Sequence, residues 1–140
     1  MNKDRLPKND IEKPISIFDI DSKMLSDFFL NIYSYRSYKL ENFWKWLYRV
    51  HFLSKKNPIV FIKNQKIVGH MGLIPFWLNV KGKKVTAAWY ADLYVLPEFR
   101  GQGIATKITE ELMKLTDVYL SFGNKQSLAI FKKYGWQKLT

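Results

Sequence analysis

The segment from Val95 to Ala105 contains the residues of this chain best suited to bind an anion. It begins in an apolar run that predicts a strand and ends where an amphipathic helix should start, with Gly101 and Gly103 at the junction. Unpaired amides at the positive end of a helix dipole suit a phosphate group, and glycine lets the backbone approach it closely. Arg100 would add a fixed positive charge. The segment therefore predicts a phosphate-binding loop, with a plain tight turn as the alternative.

Two glycine-rich phosphate motifs do not fit this spacing. The dinucleotide-binding fingerprint requires a third glycine where this chain has Thr106. A P-loop requires a Gly-Lys-Ser or Gly-Lys-Thr sequence, and none follows Gly103. A phosphate site in this loop would therefore belong to a different class.

The composition argues against several classes of protein. The 140 residues contain no cysteine, and the only histidines are His51 and His70, so a disulfide framework, a cysteine nucleophile and a metal cluster are not expected. No segment approaches the roughly 20 apolar residues of a membrane span. Residues 1–10 are polar and lack the apolar core of a signal peptide. The sequence predicts a soluble cytoplasmic protein with no bound metal.

The formal net charge of +11 has three interpretations. The lysines are spread along the chain, which favours a solvated basic surface. A polyanionic small ligand is the second interpretation. Nucleic acid is the least favoured, because no helix-turn-helix, zinc-finger or RNP pattern is present.

Hydrophobic periodicity predicts strands and helices in the order β-α-α-β-β-β-α-β-α. The predicted spans are the strand Ile15–Phe18, a helix from Asp21 or Ser22 through Ile32, the helix Glu41–Val50, the strands Pro58–Lys63, Lys66–Val80 and Val85–Leu96, a helix containing Ile104 to Leu115, the strand Asp117–Phe122 and the helix Lys125–Tyr134. Residues 1–13 are expected to form a flexible arm and residues 14–140 one domain. The last strand follows a helix and should pair in parallel with Val85–Leu96. The predicted fold is α/β (α+β), with a mixed, mainly antiparallel sheet flanked by helices.

Three local features of this scheme can be checked directly. Asn64 and Gln65 predict a hairpin turn. Pro75 is expected to break or bend its strand. Phe43 is expected to face inward together with Trp44 and the other apolar residues of its helix.

The glycine segment also resembles a known cofactor loop. The pattern Arg100-x-x-Gly103-x-Ala105, preceded by Val95-x-Pro97, resembles the acetyl-CoA pyrophosphate loop of the GNAT N-acyltransferase superfamily. The predicted order of elements is also similar to that of this superfamily.

The C-terminal helix strengthens this resemblance. The pattern Asn124-x-x-Ser127-x-x-x-Phe131-x-x-x-Gly135-Trp136 resembles the Asn-x-x-Ala-x-x-x-Tyr-x-x-x-Gly-Phe helix of the same superfamily. Two further segments resemble a subgroup linked to cell-envelope sugar biosynthesis, namely Val68-Gly69-His70 and Phe43-Trp44-Lys45-Trp46. The likeness covers about residues 35–136.

The resemblance implies an N-acetyltransferase that moves an acetyl group from acetyl-CoA, without a metal, to the amine of a small molecule such as an amino sugar. The residues expected to bind the cofactor are Leu93, Tyr94, Val95, Arg100, Gly101, Gln102, Gly103, Ile104, Ala105, Thr106 and Asn124. The strand before the loop would offer backbone groups to the pantetheine and could polarise the thioester carbonyl. No membrane partner is expected.

The catalytic residues are less clearly marked. Asp92 is the only carboxylate in its apolar run, and is either the base that takes the amine proton or a solvated or hydrogen-bonded strand residue. Phe131 stands where the family often has a proton-donating tyrosine. Either Tyr134 or another group is therefore expected as the acid, or the thiolate leaves without one.

Other aromatic and imidazole side chains have two interpretations each. Tyr90, Tyr94 and Tyr119 could line the same cleft, although packing is the more common role for each. His70 fits a satisfied core histidine better than a catalyst.

The C-terminal end suggests that strands are missing. Only residues 137–140 follow Trp136, whereas family members continue with further strands, so we expect an N-terminal portion of a longer protein with terminal strands absent or truncated. A sheet edge exposed in this way could pair with a second copy. The alternative function is a non-catalytic module that binds CoA or a partner.

Overall fold

A computed structural model describes residues 12–33, 36–53 and 56–139 of the chain. The strands are β1 (Pro14–Ser16), β2 (Ile59–Lys63), β3 (Lys66–Val80), β4 (Lys83–Val95) and β5 (Val118–Ser121), and the α-helices are α1 (Ser22–Ile32), α2 (Ser37–Leu47), α3 (Ile104–Leu112) and α4 (Lys125–Lys133). Short 3-10 turns follow β1 and β4. The predicted order of strands and helices is confirmed. Of the arm expected over residues 1–13, all but the last two residues lie outside the described part.

The strands form one sheet in the order β1-β2-β3-β4-β5. The pairs β1–β2, β2–β3 and β3–β4 are antiparallel, whereas β4 and β5 pair in parallel. A mixed, mainly antiparallel sheet is therefore confirmed, as is the parallel crossover through α3. A helix between two strands brings the second strand back in the same direction as the first.

Helices cover the sheet with two apolar clusters. One cluster includes Ile108 and Leu112 of α3 and Phe131 of α4, and the other includes Leu25 of α1 and Trp44 of α2. Full burial of each such side chain contributes roughly 1.5–3 kcal/mol. The clusters hold the helix ends at fixed positions above the strand ends.

The long β3–β4 pairing contains one irregularity, which matters for the site. His70 pairs with Tyr94 and Gly72 with Ala91, so Asp92 and its neighbour on β4 together face a single residue of β3. This is a β-bulge, and such bulges redirect side chains and backbone groups. Asp92 has φ +60°, in the left-handed region.

β4 also loses one of its neighbours near this bulge. The parallel pairing with β5 runs from Ala87 to Tyr90 on β4, while β4 itself continues to Val95. From Ala91 onward, therefore, the β5-facing edge of β4 is not paired with that strand. A cleft opens between the two strands at this point.

Two local expectations are corrected. β3 is not broken at Pro75, which pairs with Ala88, because the β2 partnership of β3 ends at Met71 and the missing N–H costs no ladder bond at such an edge. α2 begins at Ser37, and Phe43 has an exposed fraction of 53% because it lies at the margin of the apolar stripe. The predicted turn at Asn64-Gln65 is confirmed.

Candidate active site

The loop between β4 and α3 presents a run of unpaired amides. The first hydrogen bond of α3 runs from the Lys107 amide to the Gly103 carbonyl at 3.0 Å. Within the described part of the chain, the amides of residues 101–106 donate to no protein acceptor. Amides at a helix N-terminus have no partner inside the helix, so they are available to an external anion.

Two glycines give this loop its shape. Gly101 and Gly103 both have φ +78°, a conformation that other residues adopt at a cost of about 1–2 kcal/mol. A Cβ built on either glycine meets no atom within 4 Å. The space in front of the loop is therefore open, as an anion site requires.

Arg100 is held beside the loop. Its Nε donates to the Val95 carbonyl at 2.9 Å, and the guanidinium carbon lies 5.3 Å from the centre of the Tyr94 ring. This hydrogen bond uses one of the five guanidinium N–H groups. The positive charge is thus fixed at the end of β4, next to the amides.

A cavity of about 790 Å³ joins the glycine loop to the cleft between β4 and β5. The expected cofactor residues that line it are Leu93, Tyr94, Val95, Arg100, Gly101, Gly103, Ile104, Ala105, Thr106 and Asn124. Gln102 does not line it, since its side chain turns to Lys63 and accepts a hydrogen bond of 3.1 Å. The structure therefore brings together all but one of the expected residues.

Asn124 lies at the far wall of this cavity and caps α4. Its side-chain oxygen accepts the amides of Gln126 and Ser127 at 3.1 and 2.9 Å. An asparagine in this position satisfies two of the otherwise unpaired amides of the helix. The capped helix places Phe131 against the cavity as well.

Asp92, at the bulge, is the one acidic residue among the described residues that line the cavity. Arg36 donates to its Oδ1 at 2.7 Å and to its Oδ2 at 3.3 Å. The Tyr48 hydroxyl donates to Oδ2 at 2.6 Å. Both carboxylate oxygens of Asp92 are thus already engaged by donors.

The backbone carbonyl of the same residue is held from the other side. The Tyr33 hydroxyl donates to the Asp92 carbonyl at 2.9 Å, and His70 Nδ1 lies 2.9 Å from the same oxygen. Because a carbonyl can only accept, Nδ1 must carry the imidazole proton. Burial, and next the Asp92 carboxylate, raise the pKa of both tyrosine hydroxyls, so Tyr33 and Tyr48 remain donors.

His70 is enclosed by aromatic rings. Its exposed fraction is 0%, and the ring of Phe29 meets it edge-on at 5.1 Å, with Tyr48 at 5.8 Å. Burial lowers the pKa of the imidazole to about 4, although the hydrogen bond to Asp92 partly opposes this. His70 is therefore neutral near pH 7, which agrees with a core histidine.

Tyr134, the residue expected to act as an acid, lies elsewhere. It does not line the cavity, and its hydroxyl donates to Glu110 of α3 at 2.7 Å. Burial, followed by this hydrogen bond, raises its pKa to about 12. Phe131 occupies the wall of the cavity instead, stacked 4.3 Å from Trp136.

The three tyrosines that could line the cleft on sequence grounds divide into two groups. Tyr90 and Tyr94 line the cavity, whereas Tyr119 does not. The Tyr90 hydroxyl is buried and has no hydrogen-bond partner among the residues that the structure covers. Burial also raises the pKa of this hydroxyl, so it stays protonated.

Sequence reasoning missed the partners of Asp92. Tyr33 stands 59 positions away from it, Arg36 56 and Tyr48 44. No motif marks them, since each comes from the end or the start of a helix that packs over β4. Only the unusual acidic residue in the apolar strand gave any signal.

Two further observations concern metal binding and membrane-spanning helices. Within residues 12–33, 36–53 and 56–139, no group of three acidic, histidine or cysteine side chains could hold a metal ion. None of the helices in the same ranges is long and apolar enough to cross a bilayer.

Comparison with known proteins gives a consistent result. The family profile described as acetyltransferase (GNAT) domain matches residues 26–139. An uncharacterised N-acetyltransferase of Archaeoglobus fulgidus is 27% identical over 113 residues, which cover 79% of this chain and 69% of that protein.

Solved structures show the same fold. An acetyltransferase of Trypanosoma brucei has a TM-score of 0.68 at 16% identity, with 91% of this chain and 94% of that chain covered. Glucosamine-6-phosphate N-acetyltransferase from Arabidopsis thaliana has a TM-score of 0.68 at 12% identity, with 91% and 92% covered.

Proposed function

Because this chain belongs to the GNAT acetyltransferase family, we propose that it transfers an acetyl group from acetyl-CoA to the primary amine of a small molecule. The observation that carries the proposal is the run of unpartnered amides at residues 101–106, which faces open space at the N-terminus of α3. Acetyl-CoA is the co-substrate of GNAT acetyltransferases, and its diphosphate is an anion of the kind that such amides bind.

In this proposal the cofactor runs along the cavity from the glycine loop toward the bulge. The amides of residues 101–106 hold the diphosphate, and Arg100 adds a fixed positive charge. The edge of β4 from Ala91 to Val95, which β5 leaves unpaired, offers backbone groups to the pantetheine amides. An amide near the bulge would polarise the thioester carbonyl and stabilise the oxyanion that forms on it.

The chemistry is direct acyl transfer. The neutral amine attacks the thioester carbon, the nitrogen–carbon bond forms, and the carbon–sulfur bond breaks as the tetrahedral intermediate collapses. The amine nitrogen loses one proton and the leaving sulfur gains one, so the protons balance overall. A thiol with a pKa of about 8.5 is a tolerable leaving group near neutral pH.

We assign neither the acid nor the base to the residues that the sequence suggested. Phe131 has no proton to give, and Tyr134 is bonded to Glu110 outside the cavity. The Asp92 carboxylate already accepts three hydrogen bonds from Arg36 and Tyr48, which stabilise its charged form and weaken it as a base. In our proposal the sulfur leaves as a thiolate and the amine loses its proton to water in the open cavity.

CoA binding is the first test. We expect CoA to raise the melting temperature of the protein in a saturable manner, and Gly103→Glu to abolish this shift because a carboxylate would then occupy the anion site. Gly82→Glu is the matched control. Gly82 has φ +82° and an equally open Cβ position, but lies in the β3–β4 hairpin turn. No shift with CoA at about millimolar concentration, far above ordinary cofactor affinities, would contradict the proposal.

A second candidate function is a CoA-binding module without catalysis. Phe131 favours it, since the cavity wall lacks a proton donor at that position. Release of free thiol from acetyl-CoA, measured with a panel of amines that includes amino sugars, separates the two candidates. Binding of CoA without release of thiol would favour the module.

The acceptor and the assembly state remain proposals. We propose a small amine that enters the cavity at the β4–β5 cleft, with amino sugars as one class to assay. A second copy could pair along the outer edge of β5, and sedimentation or light scattering would detect such a dimer.

A further inference from the structure

We propose that Asp92 anchors the β4 bulge and is not the base of the reaction. The side chains that hold it, and that act as positioning residues for the thioester, are Tyr33, Arg36, Tyr48 and His70. We call them the Asp92 clamp. This inference rests on the proposed function, since it concerns how the same cavity presents its backbone to acetyl-CoA.

The clamp engages every acceptor atom of one residue. Arg36 and Tyr48 hold the two carboxylate oxygens at 2.6–3.3 Å, and Tyr33 and His70 hold the carbonyl oxygen at 2.9 Å. Residues in sparsely populated backbone conformations persist only when their surroundings determine them strongly. Asp92 at φ +60° is such a residue, and these contacts supply that determination.

Asp92 lies at the point on β4 where a change in backbone conformation would affect the cavity. Asp92 is the second residue of β4 beyond Tyr90, where the pairing with β5 ends and the cavity begins. A change in its φ and ψ would rotate the amides of the residues that follow. The next two residues, Leu93 and Tyr94, line the cavity where the thioester would lie.

The surrounding packing supports an anchor. The Tyr48 ring lies over Gly72, next to the bulge on β3, and any Cβ at that position would collide with the ring. Gly72 therefore allows Tyr48 to reach Asp92 from the α2 side. Asn57 in turn donates to the Tyr48 carbonyl at 2.7 Å and fixes its backbone.

The same geometry argues against a base. The Asp92 side chain has an exposed fraction of 8%, and both of its oxygens accept from Arg36. A general base must come within hydrogen-bond reach of the proton that it removes. Three of the roughly four lone-pair sites of this carboxylate already accept from Arg36 and Tyr48, so an amine would have one site left on a group that is almost fully buried.

The experiment compares clamp variants with matched controls. Arg36→Gln and Tyr48→Phe each remove a donor to Asp92, and Asp92→Asn removes the charge. Arg49→Gln is the control for arginine, since Arg49 donates to the Pro75 carbonyl outside the cavity. Tyr119→Phe is the control for tyrosine, since Tyr119 does not line the cavity.

We expect the three clamp variants to lower kcat to a similar degree, on the order of 10–100-fold, because a displacement of about 1 Å can cost that much. Affinity for CoA should change by less than about twofold in all five variants, because the glycine loop is untouched. The double variant that combines Arg36→Gln with Asp92→Asn should have a kcat no lower than that of the less active single variant, as expected for residues that act as a unit. The pH profile of kcat/KM should keep its shape in Asp92→Asn.

A second measurement does not need an acceptor amine. Calorimetric titration with acetyl-CoA and with CoA gives the affinity ratio due to the acetyl group. We expect this ratio to fall in Tyr48→Phe and Arg36→Gln and to stay unchanged in the two controls. Melting curves identify any variant that is unfolded at the assay temperature, and Arg36→Lys then replaces Arg36→Gln.

Different outcomes separate this proposal from the proposed function. If Arg36→Gln and Tyr48→Phe keep the wild-type kcat while Asp92→Asn loses activity and its pH-dependent limb, Asp92 is the base and the clamp proposal fails. The clamp proposal also fails if the ratio of the affinities for acetyl-CoA and CoA is unchanged in the clamp variants. Wild-type protein that binds both ligands but acetylates no amine contradicts the proposed function alone, and the ratio still tests the clamp. Wild-type protein that binds neither ligand overturns both.

Discussion

His70 allows the buried network behind the bulge to be tested through the pH dependence of stability. The imidazole is fully buried, and burial lowers its pKa from 6.5 to about 4. Between these two values the unfolded chain binds a proton that the folded chain does not. The stability contribution is therefore complete above about pH 6.5 and is lost as the pH falls toward 4.

The size of the effect follows from the shift. Each unit of pKa difference corresponds to about 1.4 kcal/mol, so the shift of about 2.5 units amounts to about 3 kcal/mol over the whole window. Between pH 7.5 and pH 5.0, His70 alone should lower the free energy of unfolding by about 2 kcal/mol. The pH dependence of stability sums over the whole protein, so the contribution of His70 must be isolated by a variant.

His70→Gln is the suitable variant, because glutamine has an amide N–H that can donate to the Asp92 carbonyl but does not titrate. Urea unfolding at several pH values gives the free energy of unfolding of the wild type and of His70→Gln as a function of pH, and the slopes of the two curves are compared. We expect the variant to lose about 2 kcal/mol less than the wild type between pH 7.5 and pH 5.0. His51→Gln, at an exposed position, should follow the wild type.

Two results would refute this reasoning. Parallel pH dependence of wild type and His70→Gln would mean that His70 takes up a proton as readily when folded as when unfolded. An NMR titration that gives His70 a pKa near 6.5 in the folded protein would mean the same. In either case the imidazole could not be the buried neutral donor to the Asp92 carbonyl.

Three further predictions concern Asn124, Tyr134 and Tyr90. Asn124→Ala should lower the free energy of unfolding by about 1 kcal/mol because α4 loses its cap, whereas Asn124→Ser keeps the cap. If the affinity for CoA falls in Asn124→Ser as well, Asn124 contacts the cofactor directly. Tyr134→Phe should keep kcat within about twofold, since its hydroxyl only donates to Glu110, and a larger loss in a steady-state assay would restore its role as an acid. Tyr90→Phe should keep or raise the melting temperature, because a buried hydroxyl without a partner costs about 1–3 kcal/mol; a clear drop would mean that the hydroxyl has a partner in solution.

Much of the fold could be predicted because its signals are local. The cap at Asn124, the turn at Asn64-Gln65 and the loop at Gly101 to Gly103 each depend on a few neighbouring residues with distinctive backbone preferences. The order of strands and helices followed from these signals together with the apolar periods between them, whereas the GNAT fold was implied by the resemblance of the glycine loop and of the C-terminal helix to that family. Pro75 shows the limit of this approach, because its effect depends on whether a second strand lies beside it, which the local sequence does not reveal.

The shape of the glycine loop was predictable from the sequence, whereas the surroundings of Asp92 were not. The amides of the loop are backbone groups, so glycine positions are enough to indicate them. The Asp92 clamp is built from side chains far apart in sequence, and Asp92 alone could not show whether its carboxylate faces a substrate or the donors of Arg36 and Tyr48. The hydrogen bond of Gln102 to Lys63 depends in the same way on a strand that is distant in sequence.

β4 connects the two halves of the site, and small residues on β3 make the connection rigid. The Leu96 amide donates to the Val68 carbonyl at 2.8 Å, so the end of β4 is fastened to β3 just before the loop turns into α3. A Cβ at Gly69 would lie 2.8 Å from Ile104 and 3.0 Å from Ile108, so only glycine lets the first turns of α3 pack directly on the strand. The amides of residues 101–106 are thereby held at a fixed distance from the clamped bulge. Because one strand carries both groups, a shift of α3 would move the proposed diphosphate site relative to the proposed thioester site, and we expect activity to be more sensitive than cofactor affinity to changes along β3.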